Sequence, residues 1–462
     1  MIVLSVVIAL AFVVYVLIRR LEMQVSLILA GFFLLSIAAL YGVDIMHQAP
    51  GNVQDTGYFL FNLFELLKGA FAHRVIEIGL AIMAVGGFSA YMLHIGASQA
   101  LVRVSLVLFK KVSNPYILLT GFFFLNQFLS MVITSAAALG MLLMVTEYPL
   151  LRKLGINRYT ATGVIVAGTS LEFGPLIVPT ICAGNLLNMD AMEYFVRHRL
   201  LIVLLTMATI AMSNYLWLRF TDKKAMCPPE KGSRETIDAK TPEAPGYYAI
   251  FPVFLFIWVL LFNKITDTYF ISFNYYMNVI VAVFLTLFIV IVIHSLRIKS
   301  VKKGLDGWKH FIDGMAKFWP VVTLIVAASI FSYGLTKIGA VNMLVNSVIQ
   351  MGLNGSIMTI IFACVIFIVG IMTGSGNAPF LSLAPLIPDI AAQFDMQAVS
   401  MLVPSHFASS LGRTVSPIAG VVIVCAGIAK IDPIHVVKKI FIPILTGFIC
   451  MFFYNMLING VQ

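Results

Sequence analysis

The run Thr373-Gly374-Ser375-Gly376-Asn377-Ala378-Pro379 sets hydroxyls, an amide and loosened backbone inside apolar sequence. Gly374 and Gly376 free the chain locally, Asn377 can both donate and accept, and Pro379 suits the first turn of a helix. Further on, Ser409-Ser410-Leu411-Gly412-Arg413-Thr414-Val415-Ser416-Pro417 puts a guanidinium beside a second helix-breaking patch. A charge at a bilayer centre costs about 2.5–3.5 kcal/mol on insertion scales, so Arg413 is expected to have a task. Its planar fork matches a carboxylate bidentately. Three tasks stand open: gripping a substrate carboxylate, pairing with Glu172, or snorkelling to an interface.

The first half of the chain carries a parallel pair of patches. Thr134-Ser135-Ala136 breaks one apolar stretch, and Gly168-Thr169-Ser170-Leu171-Glu172-Phe173-Gly174-Pro175 breaks the next. A helix interrupted inside a membrane exposes free N–H groups that favour anions and freed carbonyls that hold cations. Arg413, Asn377, Ser375 and Thr414 are the expected carboxylate ligands. Thr134, Ser135, Thr169 and Ser170 complete the cavity or a cation site. Glu172, Thr373, Ser409, Ser416 and His406 are the candidates for handling a coupling ion, H+ or Na+. Glu172 could be a proton carrier, a sodium ligand or the partner of Arg413. His406 could relay a proton or simply pack. The tips have a plainer reading too, as residues that satisfy their own backbone or pack small faces together.

The elements that must hold these patches follow from composition. Of 462 residues 60% are hydrophobic and only 11% charged, against roughly a quarter charged in soluble domains. Mean hydropathy is +0.99. Continuous apolar runs of helix-spanning length make this an all-α polytopic membrane protein rather than a barrel, whose strands alternate. Net charge is +10, but the basic residues cluster at span ends, which speaks for topology and anionic lipid rather than nucleic acid. The five cysteines are scattered, without metal spacing or a disulfide framework. No phosphate-binding loop or nucleophile elbow stands out, so an enzyme is not expected. The first run, Ile2 to Ile18, reads as a retained span.

Basic loops then orient the chain. Arg19-Arg20 places the end of the first span inside and the N-terminus outside. Spans are expected at about 24–41 and 75–93, followed by an amphipathic surface segment bearing Arg103, Lys110 and Lys111. Residues 116–150 have basic flanks at both ends and a polar centre, which predicts a re-entrant hairpin; two ordinary spans are the alternative. An interrupted helix over 160–188 and a span over 200–217 complete a first repeat, 1–220. Residues 221–246 are polar, basic and proline-rich, a cytoplasmic linker. The second repeat, 247–462, mirrors the first with spans at 248–262, one ending by His294, and 318–335. A hairpin over 354–390, an interrupted helix over 400–430 and a last span over 440–458 follow.

Phe88-Ser89 and Ile95-Gly96-Ala97 recur as Phe331-Ser332 and Ile338-Gly339-Ala340, all displaced by 243 residues. Each half holds an odd number of crossings, about five, so the two repeats must be inverted. Duplicated halves with matching interruptions are the signature of a secondary transporter.

Three runs carry a family likeness: Gly87-Phe88-Ser89-Ala90-Tyr91-Met92-Leu93-His94-Ile95-Gly96-Ala97, Thr373-Gly374-Ser375-Gly376-Asn377-Ala378-Pro379-Phe380, and Leu411-Gly412-Arg413-Thr414-Val415-Ser416-Pro417 with Gly427-Ile428-Ala429-Lys430. In these the chain, from about Tyr58 to Lys439, resembles the DcuC-type anaerobic C4-dicarboxylate transporters. The resemblance implies a bacterial inner-membrane carrier of succinate, fumarate and malate, linked to fumarate respiration or succinate export. It also implies the ion-transporter superfamily, a homodimer, and a transport domain moving like an elevator against a scaffold. Glu172-Phe173-Gly174-Pro175 is not a usual feature of that family. An extra carboxylate beside an anion site leaves open which dicarboxylate is carried and which ion drives it.

Overall fold

A computed structural model describes residues 2–19, 21–47, 49, 51–109, 112, 114–221, 244–262, 275–350 and 354–460. No strand occurs among them. The chain opens with α1 (Ile2–Arg19), α2 (Met23–Leu40) and α3 (Phe59–Arg74), which runs through a π-helical turn (Val75–Gly79) into α4 (Leu80–His94). Next come α5 (Ala97–Leu106), α6 (Pro115–Val132), α7 (Ala136–Lys153), α8 (Arg158–Ala167) and α9 (Val178–Leu186). After these, α10 (Ala191–Tyr194) passes through a π-helical turn (Phe195–Arg199) into α11 (Leu200–Thr221). The later part holds α12 (Phe251–Leu261), α13 (Val279–Ile298), α14 (Val301–Asp306), α15 (Trp308–Lys337) and α16 (Ala340–Gln350). It continues with α17 (Gly355–Thr373), α18 (Asn377–Leu383), α19 (Ile387–Gln393), α20 (Ala398–Thr414), α21 (Gly420–Ala429) and α22 (Pro433–Asn459).

The same order therefore occurs twice: a long helix, a short helix after a left-handed glycine, a helix–tip–helix pair, an interrupted helix and a long closing helix. Gly96 and Gly339, 243 residues apart in sequence, sit at φ 79° and 77°. Without a Cβ they adopt the left-handed turn that starts α5 and α16.

Eight helices among the described residues are long and apolar enough to cross a membrane. That is fewer than the expected ten or so crossings. The interrupted segments fall short because each is cut into two helices of 9 to 17 residues, and α7 carries Glu147, Arg152 and Lys153.

Three boundaries depart from expectation. The span expected at 75–93 belongs to a helical stretch that already begins at Phe59. Its early charged residues look like loop in sequence, but they pair along the helix. Lys68 meets Glu65, and Glu77 takes His73 at 3.1 Å and Arg74 at 3.3 Å; contacts at i,i+3 and i,i+4 are compatible with helix. Likewise α15 starts at Trp308, not near 318, and its 30 residues span about 45 Å at 1.5 Å per residue. The second arm of the later hairpin is not one helix. Pro385 and Pro388 accompany a 3-10 turn (Ala384–Leu386) that separates α18 from α19, since proline cannot donate to the helical ladder. Lys110, Lys111 and residues 222–243 of the expected linker lie outside the described residues.

The packing is governed by small residues. Lipid tails are as apolar as leucine, so helices associate by close backbone approach. A Cβ on Gly314 of α15 would lie 2.8 Å from the Gly87 Cα of α4, and one on Gly412 of α20 would lie 2.4 Å from the Phe367 carbonyl oxygen of α17. The first contact ties the two long helices together. The second fixes the later hairpin to the interrupted helix that carries Arg413.

Candidate functional site

The first tip is the break at Ile133–Ser135, where α6 ends and α7 begins. Ser135 caps α7, its Oγ accepting from the Ala138 N–H at 3.4 Å. The Thr134 hydroxyl has no hydrogen-bond partner among the described residues. The break between α8 and α9 is held from two sides. Gln127 of α6 donates to the Ala167 carbonyl and the Ser170 hydroxyl, both at 3.1 Å, and accepts from the Leu171 N–H at 3.4 Å. Arg199, fully buried, donates to the carbonyls of Leu171 at 2.6 Å and Glu172 at 2.9 Å, and to the Thr180 hydroxyl at 3.3 Å. Its guanidinium lies 5.0 Å from the centre of the Phe407 ring. These bonds hold Glu172 at φ 46°, a left-handed conformation that costs a side chain roughly 1–2 kcal/mol.

The second tip follows from Gly374, at φ 67°, which ends α17. Thr373 turns its hydroxyl back to the Val369 carbonyl at 2.8 Å and also receives the Ser375 N–H at 3.3 Å. Ser375 accepts from Ala378 N–H at 3.1 Å. The tip is fastened to the second break: Ser409 donates to the Gly376 carbonyl, and Ser416 donates to the Ile371 carbonyl at 2.6 Å. Thr414 and Ser410 instead satisfy carbonyls of their own helix, at 2.9 Å and 3.2 Å.

Arg413 clasps the two breaks to each other. One nitrogen donates to Glu172 Oε1 at 2.7 Å and another to the Thr169 carbonyl at 2.7 Å. Gly376 of the second tip lies against this pair; a Cβ there would come 3.0 Å from Glu172 Oε1. The second Glu172 oxygen stands 4.0 Å from His406 Nε2. Neither that oxygen nor either His406 ring nitrogen has a hydrogen-bond partner among the described residues.

A cavity of about 300 Å³ lies where tips and breaks meet. Thr134, Ser135, Glu172, Ser375, Asn377 and Arg413 line it, with Ile82, Val85 and Phe318 as apolar wall. Three longer helices begin there: Ala136 and Ala137 of α7, Val178 and Pro179 of α9, and Gly420 and Val421 of α21 all face the cavity. The free N–H groups of such first turns favour an anion. Of the remaining expected residues, Thr169 reaches Arg413 through its carbonyl. Ser170, Thr373, Thr414, Ser409, Ser416 and His406 do not line the cavity and hold or back the segments that do.

Sequence reading missed Arg199, Gln127 and the Asn126–Glu147 pair, in which Asn126 donates to Glu147 at 3.0 Å with both side chains fully buried. Arg199 ends the basic run Arg197-His198-Arg199, which looks like a topological marker. Its one distinguishing signal is that it stands directly before the apolar helix of 22 residues that begins at Leu200.

The fold is shared with a solved membrane transporter structure. Neisseria gonorrhoeae MtrF, presented as illuminating a class of antimetabolite efflux pumps, superposes with a TM-score of 0.66 over 95% of this chain and 96% of that one, at 11% identity. Such identity speaks for the fold alone. Sequence goes further. The family model for the C4-dicarboxylate anaerobic carrier DcuC matches residues 1–459. The anaerobic C4-dicarboxylate transporter DcuC of Escherichia coli K12 is 30% identical over 426 residues, 92% of this chain and 89% of that protein. A Vibrio cholerae protein described as a "probable anaerobic C4-dicarboxylate transporter DcuC" is 31% identical over 433 residues, 94% and 92% of the two chains. The chain belongs to the DcuC family of membrane carriers, not to an enzyme family.

Proposed function

We propose that this chain is a secondary active transporter of C4-dicarboxylates, such as succinate, fumarate and malate, in the bacterial inner membrane. It would work by uptake, efflux or exchange coupled to protons or sodium. The observation that carries this is the convergence of Arg413 with the first turns of α7, α9 and α21 on one cavity. Three positively polarised helix ends and a guanidinium suit a small dianion, and about 300 Å³ is at the small end of ligand pockets. One carboxylate would take Arg413, with Ser375 and Asn377 beside it. The other would lie toward Thr134, Ser135 and the start of α7.

The repeated element order and the 243-residue sequence displacement support two inverted repeats, 1–220 and 247–462. Alternating access would then carry the tips and breaks, as an elevator, past the scaffold of long helices. The proposal includes a homodimer embedded in lipid, an assembly that the family likeness suggests.

A second reading has one observation in its favour. Glu172 beside Arg413 offers a seat for a zwitterion, its ammonium on the carboxylate, which would make an amino acid such as aspartate the cargo.

Radiolabelled succinate uptake into proteoliposomes tests the proposal, with succinate, fumarate or aspartate inside. Wild type should take up succinate against internal dicarboxylate, and Arg413→Ala should lose uptake while remaining folded. Exchange driven by aspartate but not by fumarate would favour the zwitterion. No uptake by folded wild type under either a proton or a sodium gradient would overturn the dicarboxylate reading.

A further inference from the structure

We propose that Glu172 is a tethered stand-in for the substrate: its carboxylate occupies Arg413 in the empty carrier, and the incoming dicarboxylate displaces it into a protonated state. This rests on the reading of the cavity as a dicarboxylate site. Glu172 lines that cavity and accepts from Arg413 at 2.7 Å, the contact expected of a substrate carboxylate. Two features mark it as a replaceable occupant rather than a structural pair. Only one of its oxygens is bonded; the other faces His406 at 4.0 Å without a partner among the described residues. The backbone under it is also in the left-handed region, held by Arg199 rather than by its own preference.

The charged and titratable groups around Glu172 are few. Arg413 and His406 face it from α20, and Arg199 binds its carbonyl from the π-helical turn before α11. The two tips present only the neutral Thr134, Ser135, Ser375 and Asn377. Once a substrate carboxylate takes Arg413, an ionised Glu172 would stand beside a second anion with no bonded cation. Like charges that close disfavour the charged form, so a proton is taken up from the solvent side of the cavity. Glu172, which itself lines the cavity, takes that proton directly, and His406, fully buried with both ring nitrogens unpartnered and 4.0 Å from the free oxygen, is placed to accept a hydrogen bond from the protonated carboxyl. When substrate leaves, Arg413 recaptures the carboxylate and the proton is released on the side where substrate left. One proton thus travels with each dicarboxylate, and the empty carrier returns with an internal ion pair.

Removal of a competitor should tighten substrate binding. Glu172→Gln should bind succinate at least about fivefold more tightly, the lower end of the range for coupled sites, with an affinity whose remaining variation with pH is only that of succinate's own protonation. It should also lose accumulation driven by a pH gradient. Looser binding, or gradient-driven accumulation as in wild type, would overturn the inference. The wild-type protein gives an independent measurement that needs no variant. Succinate added to the purified carrier in weakly buffered detergent with a pH dye should draw about one proton per succinate bound, the stoichiometry set by a single competing carboxylate. Binding without proton uptake sinks this inference alone. No binding by folded wild type sinks the dicarboxylate reading with it.

Discussion

Arg199 offers the sharpest test of how the site is held. Replacing it with leucine keeps an apolar volume against Phe407 but removes the donors to the Leu171 and Glu172 carbonyls, now at 2.6 and 2.9 Å. Each buried carbonyl left without a donor costs about 1–3 kcal/mol, so the pair costs about 2–6 kcal/mol. Relief of the guanidinium's own desolvation offsets part of this, which brings the middle of that range down to about 2 kcal/mol. The loop also carries the left-handed φ of 46° at Glu172, which persists only while its surroundings impose it. About 2 kcal/mol is close to a thirtyfold shift between conformations, enough to depopulate the break geometry that presents the first turn of α9, Val178 and Pro179, to the cavity. Arg199→Lys keeps the charge but loses the two-pronged fork and the stacking, and should fall between. The assay pairs thermal unfolding of the purified carrier in detergent with its succinate affinity. Arg199→Leu should lower the melting temperature and weaken succinate binding by about thirtyfold, the factor that corresponds to 2 kcal/mol. Wild-type stability and affinity in Arg199→Leu would refute the reasoning, because the carbonyls would then have other donors.

Two further outcomes follow from the same geometry. Gly374→Ala must place a side chain at φ 67°, with its Cβ 2.9 Å from the Ile418 carbonyl oxygen. The conformational strain alone is about 1–2 kcal/mol, so succinate exchange in proteoliposomes should fall while the protein still inserts. Glu147→Leu strips the fully buried Asn126 amide of its acceptor and should lower stability by about 1–3 kcal/mol. Glu147→Gln keeps that acceptor oxygen, and thermal unfolding should show it closer to wild type than the leucine variant.

Much of this architecture is legible in the chain because the breaks are made by local chemistry. Gly374, Gly376 and Pro379 mark the second tip, and Thr134 with Ser135 marks the first, where α6 and α7 part. Charged residues were a poorer guide. Glu65, Lys68, His73 and Arg74 look like loop until helical spacing pairs them with one another and with Glu77. Arg197, His198 and Arg199 look alike, yet Arg199 alone turns wholly inward.

By itself, then, the sequence determined that this is a membrane chain of apolar helices, where those helices break, and which polar residues stand at the breaks. Glycine, proline and hydroxyl side chains act on the backbone within a turn or two, so their effect can be read in order along the chain. Which charge meets which was decided only by tertiary structure. Arg413 and Glu172 are 241 residues apart, and periodicity does not rank a distant carboxylate against a ligand as the partner of a guanidinium. Folding does so by bringing two broken helices to one point, where each exposes backbone that the other's side chains must satisfy.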